Sequence, residues 1–348
     1  MKKAGGGLKP LVYVTRKLPE EIISRLKENY EVDMWPEEEV QVPREVLVEK
    51  VKKADALLTV ITDQLDEELF SAANHLKVVA NMAVGYDNID LDAASRRGVA
   101  VCNTPDVLTD TTADLTFALL LATARRMIEA AEFVKNGEWK SWSPLLLAGT
   151  DVHHKTIGIV GMGKIGTVVA KRAAGFDMEI IYHNRRRHEV AEEMLGARYC
   201  EMDELLAEAD FVVCLAPLTE ETKGMFGADQ FRKMKKEAIF INASRGPVVD
   251  EAALYDALQS GEIAAAGLDV FELEPIGADH PLLPLPNVVA LPHIGSATKE
   301  TRLAMMDTCC DNLDTIFADR APQTLVNKDF LNWRKQEWST GSLGIAED

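Results

Sequence analysis

The chain has 348 residues, 47% of them apolar and 27% charged, a composition typical of a globular protein with room for two domains. Its formal net charge of −18 repels phosphate backbones and anionic lipids, so neither nucleic acid nor a membrane is expected as a partner. The N-terminus lacks the apolar core of a signal peptide and no apolar run is long enough to span a bilayer, which predicts a cytoplasmic protein. The five cysteines do not have metal-ligand spacing, and no metal site is predicted.

The first hundred residues alternate between short apolar runs and segments with helical periodicity. Strands are predicted at 11–14, 32–35, 56–60, 76–80 and 99–101, with helices at 19–29 and 44–52 and near 66 and 91. Strands that alternate with helices predict a parallel, doubly wound sheet. This part of the chain is therefore expected to form one small α/β domain.

One long helix is predicted over 111–135, and because its first half is apolar on nearly every side, it should be buried. The following segment, 137–147, contains Trp139, Trp142 and a run of leucines but has little periodicity. In a monomer this segment would form an exposed apolar patch. We interpret it as an arm that crosses the interface of a homodimer, with packing inside the same chain as the alternative.

The segment 156–187 predicts a dinucleotide-binding unit. Gly161, Gly163 and Gly166 follow an apolar strand at G-x-G-x-x-G spacing, a helix comes next, and a second apolar strand begins near 179. Glycines at these places allow a tight turn, close approach of a pyrophosphate and close packing of helix on strand. The pyrophosphate is then expected at the N-terminus of the helix. The alternative is a structural glycine turn.

The loop after the second strand distinguishes NADPH from NADH. An NAD site places a carboxylate about 20 residues after the glycines, where it binds the ribose 2′-hydroxyl. His183 occupies that place and is followed by Asn184, Arg185, Arg186 and Arg187. Guanidinium groups pair with a 2′-phosphate, which a carboxylate would repel. NADPH is therefore the predicted cofactor and NAD the second choice, the alternative being that the arginines form a solvated helix start.

Later strands are predicted at 211–213, 239–241, 265–268 and 288–291, followed by a helix at 298–317. Ligands of open parallel sheets bind beyond the carboxyl ends of the strands, where Arg245, Glu274 and His293 follow the last three of these. The three suit reduction of a 2-oxo acid. Arg245 would bind the carboxylate and polarise the carbonyl, and His293 would donate the proton. Glu274 would bond the other ring nitrogen and favour the protonated ring, the alternatives being a surface arginine and a structural histidine.

Four motifs resemble the D-isomer-specific 2-hydroxyacid dehydrogenases, and the resemblance extends over about residues 8–328. The motifs are Gly161-Met-Gly-Lys-Ile-Gly166, Asn242-Ala-Ser-Arg-Gly-Pro-Val-Val-Asp250, Gly267-Leu-Asp-Val-Phe-Glu-Leu-Glu-Pro275 and Pro292-His-Ile-Gly-Ser-Ala-Thr298. The segments 151–155 and 137–142 are similar to the glyoxylate/hydroxypyruvate reductase branch, which includes 2-ketogluconate reductases. This implies an NADPH-preferring reductase of glyoxylate, hydroxypyruvate or 2-ketogluconate that forms the D-2-hydroxy acid.

The resemblance also implies a fold and a set of site residues. The fold is two doubly wound parallel-sheet α/β domains: a Rossmann cofactor domain at 108–297, with a dimerisation arm near 111–149, inserted into a flavodoxin-like substrate domain at 1–107 that is completed by 298–330. The tail at 331–348 receives no role. Implied catalytic residues are Arg245, Glu274 and His293, and implied substrate contacts are Val60, Ala83, Val84, Gly85, Arg245 and Trp142 of a neighbouring subunit. Implied cofactor contacts are Thr112, Gly161, Met162, Gly163, Lys164, Ile165, Gly166, His183, Asn184, Arg185, Arg186, Pro217, Thr222, Ala243, Ser244, Asp269, His293 and Gly295.

Two other functions remain as alternatives. The first is a dinucleotide-sensing interaction protein, similar to the transcriptional corepressors of this family, although the chain lacks their expected basic surface and low-complexity arms. The second is another dehydrogenase of the family, acting on phosphoglycerate, formate or phosphite. Phosphoglycerate enzymes usually prefer NAD, so the arginines after His183 argue against that choice.

Overall fold

The computed structural model describes residues 8–330, and the tail at 331–348 lies outside them. The strands are β1 Leu11–Val14, β2 Glu31–Met34, β3 Ala56–Thr59, β4 Val78–Asn81, β5 Ala100–Cys102, β6 Thr156–Val160, β7 Glu179–His183, β8 Arg198–Tyr199, β9 Phe211–Cys214, β10 Ile239–Asn242, β11 Ala265–Leu268 and β12 Val288–Ala290. The helices are α1 Glu20–Asn29, α2 Arg44–Val51, α3 Glu67–Ala72, α4 Leu91–Arg96, α5 Thr109–Ala124, α6 Met127–Lys135, α7 Lys164–Ala174, α8 Glu189–Leu195, α9 Met202–Glu208, α10 Ala228–Lys233, α11 Glu251–Ser260 and α12 Lys299–Phe317.

Among the described residues, the first compact unit consists of 8–108 together with 299–330. Its five strands are parallel and lie in the order β2-β1-β3-β4-β5. β3, β4 and β5 are buried along their whole length, as expected of parallel strands covered by helices on both faces. α12 packs against β4 and β5 and so completes this unit at a late point in the sequence. Arg25 of α1 pairs with Asp307 and Asp311 of α12, each at 2.5 Å.

The second unit, Thr109–Thr298, contains a seven-stranded sheet in the order β12-β11-β10-β9-β6-β7-β8. All of its strand pairs are parallel. The strand order reverses where β6 lies between β7 and β9, which is the point at which open α/β sheets bind dinucleotides. The predicted fold class, two doubly wound parallel-sheet α/β domains, is confirmed.

The single helix predicted over 111–135 is wrong, because two helices, α5 and α6, occupy this stretch. The helical conformation is interrupted at Arg126, which has a left-handed φ of 51°. The carbonyl of Ala124 accepts a hydrogen bond from the Thr150 N–H at 2.8 Å instead of continuing the helix. A Cβ on Gly149 would lie 2.2 Å from that carbonyl oxygen, so only glycine lets the returning chain come this close. The expected burial holds for α5, whereas α6 has no buried residue.

Across residues 8–330, no helix combines the length and the apolar character needed to cross a bilayer. The same residues contain no group of three or more histidine, cysteine or acidic side chains arranged to bind a metal ion.

Candidate active site

Three neighbouring strands of the second unit lead into the predicted catalytic residues. β10 pairs with β11 and β11 with β12, all in parallel, so the segments that follow them leave the sheet at the same edge. Arg245 follows β10, Glu274 follows β11 and His293 follows β12. The sheet therefore places an arginine, a carboxylate and a histidine on adjacent loops.

The carboxylate of Glu274 is hydrogen-bonded to the ring of His293. Its Oε2 lies 2.6 Å from Nδ1 of His293, and its Oε1 accepts the Phe271 N–H at 3.0 Å. Both side chains are partly shielded, His293 being 30% and Glu274 25% exposed. Burial by itself would raise the pKa of Glu274, but the hydrogen bond and charge of His293, with a smaller contribution from Arg245, lower it below the usual range. An ionised Glu274 orients the ring so that Nε2 is the nitrogen left for proton transfer.

The loop that carries His293 has a strained backbone. His293 has a φ of 52°, a conformation that residues with a Cβ rarely adopt and that is common at functional sites. Asp269, which is 1% exposed, fixes the next residues, because its Oδ1 accepts the Ile294 N–H at 2.8 Å and the Gly295 N–H bonds the same carboxylate. Burial raises the pKa of Asp269. Asp269, which the resemblance implies as a cofactor contact, is thus also a backbone anchor for the histidine loop.

A turn ordered by Asn242 positions Arg245. The Nδ2 of Asn242 donates to the Arg245 carbonyl at 3.0 Å, and its Oδ1 accepts the N–H and the hydroxyl of Ser244 at 3.0 and 2.9 Å. The Arg245 guanidinium donates to the Ser244 carbonyl at 2.8 Å. Ser244 also contacts the buried thiol of Cys214, 3.3 Å away, and the Ala243 N–H donates to the Cys214 carbonyl at 3.4 Å.

Gly246 brings the arginine loop against the carboxylate loop. A Cβ at this position would lie 1.8 Å from the carbonyl carbon of Phe271 and 2.3 Å from the Glu272 nitrogen. No side chain fits there, so glycine is required for the close packing that fixes Arg245 relative to Glu274.

The three motif glycines have different surroundings. Gly161 has a φ of 105°, and a Cβ on it would lie 2.5 Å from the carbonyl carbon of Leu215. A Cβ on Gly166 would lie 2.4 Å from the Gly161 carbonyl oxygen, so both glycines serve packing. A Cβ on Gly163 meets no atom within 4 Å, which leaves open space directly before α7. That space at a helix N-terminus suits a pyrophosphate, with Lys164 and Ile165 in the first turn.

Asn184 closes this loop from the neighbouring strand. Its Oδ1 accepts the Met162 N–H at 2.7 Å, and its Nδ2 donates to the Met162 carbonyl at 3.1 Å. The side chain expected to contact the cofactor thus orders the glycine turn. His183, one residue earlier, has its Nδ1 3.0 Å from the Cys200 carbonyl.

The three arginines after β7 do not behave alike. Arg187 bonds both carboxylate oxygens of Glu192, at 3.0 and 2.6 Å, and its guanidinium lies 6.0 Å from the centre of the Tyr199 ring. Arg185 and Arg186 are exposed. Arg187 is itself 65% exposed, so the three arginines differ in their pairing and not in their burial.

The remaining predicted cofactor residues lie on two further segments of the second unit. After β9, the Thr222 hydroxyl donates to the Pro217 carbonyl at 2.6 Å and accepts the Thr219 N–H at 2.8 Å, which makes this loop compact. Thr112, in the first turn of α5, adjoins the histidine loop, because a Cβ on Gly295 would lie 3.3 Å from its methyl group.

In the first unit, the predicted substrate-binding residues lie after β3 and β4. The Val60 N–H donates to the fully buried Asp63 at 2.9 Å. Three hydrogen bonds to its backbone carbonyls fix the loop 83–85. The Thr104 N–H donates to the Ala83 carbonyl at 2.9 Å, the Asn103 side chain to the Val84 carbonyl at 2.8 Å, and the Asn81 side chain to the Gly85 carbonyl at 3.1 Å. The Ala83 N–H donates to the Asn81 carbonyl at 2.8 Å, so this backbone amide of the predicted substrate loop already has a partner.

Sequence reasoning missed several residues that order the site. Asp63 and Asn242 were not assigned roles, although both are buried polar side chains with several hydrogen bonds. Their signal is a polar residue at or just beyond the carboxyl end of a buried strand. Glu251 was also missed, and its carboxylate accepts the Glu272 N–H at 2.7 Å from a position 21 residues earlier in the chain.

The predicted dimerisation arm is exposed. Trp142 is 80% and Leu145 81% exposed, and Trp139 is 60% exposed. α6 continues this surface with Ile128 and Val134, both more than half exposed. The chain alone therefore leaves a contiguous stretch of its sequence, 127–146, with large apolar side chains in solvent.

Comparison with known proteins agrees with these motifs. Residues 117–295 match the profile described as D-isomer specific 2-hydroxyacid dehydrogenase, NAD binding domain. The chain is 52% identical over 332 residues to a glyoxylate reductase of Thermococcus kodakarensis (94% of this chain, 99% of the relative) and 51% identical over 321 residues to glyoxylate/hydroxypyruvate reductase B of Escherichia fergusonii (92% and 98%). The crystal structure of an NADPH-dependent glyoxylate/hydroxypyruvate reductase from Sinorhizobium meliloti, in complex with NADP and malonate, superposes with a TM-score of 0.80 at 34% identity (92% and 98%). The chain belongs to the D-isomer specific 2-hydroxyacid dehydrogenase family.

Proposed function

We propose that this protein is an NADPH-preferring reductase that converts small 2-oxo acids to D-2-hydroxy acids. Glyoxylate, hydroxypyruvate and 2-ketogluconate are the proposed substrates. The observation that carries the proposal is the 2.6 Å contact between Glu274 and His293 at the sheet edge that also carries Arg245. The relatives named as glyoxylate and glyoxylate/hydroxypyruvate reductases support the choice of substrate class.

The three residues divide the work of a carbonyl reduction. Arg245 binds the substrate carboxylate and places its positive charge near the carbonyl oxygen, where negative charge develops. His293 donates a proton to that oxygen from Nε2, because Nδ1 is bonded to Glu274. Glu274 stabilises the charged ring before the transfer and fixes its orientation. A bound reduced nicotinamide supplies the hydride.

The glycine loop fits such a cofactor. The open space at Gly163, the N-terminus of α7 and the turn fixed by Asn184 provide backbone N–H groups and room for a pyrophosphate. The same fit serves NAD and NADP, so the loop supports a nicotinamide dinucleotide and does not choose between them.

The preference for NADPH rests on the residues after β7. Arg185 and Arg186 are exposed, whereas Arg187 is paired with Glu192. The exposed carboxylate of Glu221 competes with a phosphate for Arg185. The pKa of Glu221 is lowered first by its hydrogen bonds with Thr219 and with its own backbone, and then by the charge of Arg185. An exposed competitor of this kind is weak in water, so we assign the two arginines to the 2′-phosphate.

The homodimer is part of the same proposal. The exposed apolar side chains at 127–146 are more than an isolated subunit normally leaves in solvent. Covering them with a second copy of the chain would bring Trp142 to the partner, where the family resemblance places it at the neighbouring substrate site. Val60 and the 83–85 loop are proposed as substrate contacts on the same basis.

Loss of the absorbance of the reduced nicotinamide of NADPH tests the proposal with glyoxylate, hydroxypyruvate and 2-ketogluconate. Rapid oxidation with NADPH and slow oxidation with NADH is the expected result. A preference for NADH would remove the assignment of Arg185 and Arg186 but leave the catalytic residues in place. Binding of the cofactor without turnover of any oxo acid would refute the reductase and favour a dinucleotide-sensing role.

A further inference from the structure

A second histidine–carboxylate pair lies beside the loop that carries Glu274. The Nε2 of His280 is 3.1 Å from Oε2 of Glu251, and both side chains are largely buried, 16% and 17% exposed. The other carboxylate oxygen of Glu251 accepts the N–H of Glu272 at 2.7 Å. Neither residue has a role in the proton transfer proposed above.

The tautomer of the His280 ring is assigned from its neighbours. The Leu282 N–H points to Nδ1 at 3.4 Å, which makes Nδ1 the acceptor and places the ring proton on Nε2. Nε2 therefore donates to Glu251. The ring also packs edge-on against Phe271, with 5.6 Å between ring centres and an interplanar angle of 72°.

These contacts converge on four consecutive residues. Phe271 is packed by the His280 ring and donates its N–H to Glu274, while Glu272 donates its N–H to Glu251. On the opposite side, Gly246 allows the backbone of this segment to approach the arginine loop. The backbone of 271–274 is thus fixed from both sides, and Glu274 is its last residue.

We infer that Glu251 and His280 are positioning residues for the reduction, acting through the Glu272 N–H on the carboxylate of Glu274. This inference rests on the proposed function for its catalytic consequence. His280 orients Glu251 by donating to one of its carboxylate oxygens. The other oxygen accepts the Glu272 N–H and so fixes the loop in the position in which Glu274 contacts His293. Without them the loop loses the hydrogen bond at the Glu272 N–H and the ring that packs on Phe271, so the Glu274 carboxylate is held less firmly against His293.

Misplacing a catalytic group by about 1 Å costs on the order of 10²-fold in rate, so a partial loosening of this loop should reduce kcat by roughly 10- to 100-fold. The KM for NADPH should change little, because the glycine loop lies on β6 and α7, away from β11. A fall in kcat with an unchanged cofactor KM separates this role from a general loss of folding.

Two substitutions of His280 separate its hydrogen bond from its packing. His280→Phe keeps an aromatic ring against Phe271 and removes the donor to Glu251, whereas His280→Gln places an amide N–H where Nε2 was. Glu251→Ala removes the acceptor of the Glu272 N–H and leaves the ring in place, so the inference can still be tested if His280→Phe does not fold. Each variant is assayed for kcat and KM, and the exchange of the 271–274 amides is followed by hydrogen–deuterium exchange.

Asp210→Asn is the matched control. The Asp210 carboxylate also accepts a backbone N–H, that of Thr156 at 2.9 Å, and pairs with a basic side chain, Lys235 at 2.9 Å. Thr156 begins β6, so this contact is at the amino end of the sheet. The control should lose stability without losing kcat.

The expected result is faster amide exchange at Glu272 and a lower kcat in His280→Phe and Glu251→Ala, with both restored towards wild type in His280→Gln. Wild-type exchange at Glu272 and wild-type kcat in His280→Phe or Glu251→Ala would overturn the inference, even if the melting temperature falls. If the wild-type protein reduces no oxo acid, the proposed function fails. In that case the exchange data alone decide whether the two residues position the loop.

Discussion

Replacing Glu274 with glutamine tests the catalytic assignment at its centre. The amide is nearly isosteric, and its oxygen still accepts the Phe271 N–H that orders the loop. Its NH₂ group then faces Nδ1 of His293, where the carboxylate oxygen now lies at 2.6 Å. Two N–H groups cannot both point into that contact, so the protonated ring loses its partner while the loop remains intact.

The size of the effect follows from the bond that is lost. A hydrogen bond between charged partners contributes about 1.5–3 kcal/mol, and every ~1.4 kcal/mol is tenfold in rate, which gives about 10- to 150-fold in kcat for reduction. The two side chains are 30% and 25% exposed, so solvent weakens the interaction and we expect about 10- to 50-fold.

The pH dependence has a defined sign. The pKa of Glu274 is lowered in the folded protein, so its side chain is an ionised partner of the His293 ring at all pH values above the usual glutamate pKa of about 4.3. This negative charge disappears only as the pH falls through the lowered pKa. Glu274→Gln should remove that acid limb, because glutamine has no carboxylate to protonate.

Steady-state rates with NADPH and glyoxylate from about pH 3 to about pH 7, a range that reaches below the usual glutamate pKa of about 4.3, measure this acid limb. Glu272→Gln, which neutralises an exposed carboxylate on the same loop and keeps the backbone N–H, is the control and should retain the wild-type profile. A Glu274→Gln variant with wild-type kcat and an unchanged acid limb would refute the role of the pair in proton transfer.

Four further changes have defined outcomes. Arg185→Ala with Arg186→Ala should raise the KM for NADPH by about 10- to 100-fold, as expected for two lost charge-assisted contacts, and leave that for NADH nearly unchanged; equal effects on both would show that the arginines do not bind the 2′-phosphate. In Gly246→Ala the new Cβ would lie 1.8 Å from the carbonyl carbon of Phe271, and the backbone must shift by roughly 1.5 Å to make room for it. A loss of about 3 kcal/mol in the free energy of unfolding is expected, and an unchanged urea midpoint would contradict the packing argument. Burial raises the pKa of Asp63, so the folded state binds this proton more tightly than the unfolded state does. The free energy of unfolding should therefore fall as the pH rises from about 3.9 through the raised value. Urea midpoints of wild type and Asp63→Asn should diverge over that pH window, and a constant difference would show that Asp63 does not link folding to pH. Trp142→Ala should weaken self-association in sedimentation experiments, and an unchanged dimer, or a monomeric wild type, would argue against the proposed arm.

Patterns local in sequence predicted most of the fold. The strand before Gly161 and the helix after it are adjacent segments with clear apolar periods, and the structure confirms them as β6 and α7. The long helix over 111–135 failed because its break depends on Gly149 and Thr150, which return to Ala124 from a distant part of the chain. A helical period in the sequence gives no sign of such a tertiary contact.

The candidate site shows the same division. Arg245, Glu274 and His293 follow recognisable strands, so the parallel topology alone predicted that their loops are neighbours. The partners of individual side chains were not predictable, because Arg187 pairs with Glu192 and Asn184 bonds Met162 through rotamers that the sequence does not specify. Glu251 and His280 were overlooked for a related reason: they meet across 29 residues in a contact that no motif spacing encodes.

The late return of α12 has a consequence for the order in which the chain acquires structure during synthesis. β4 and β5 leave the ribosome nearly two hundred residues before the helix that covers them, so the nascent first sheet keeps an apolar face uncovered while all of Thr109–Thr298 is translated. The second unit draws only on consecutive residues and is complete before that helix is made. The nucleotide-binding half can therefore fold first on the ribosome, and the early half is where a nascent chain most needs a chaperone.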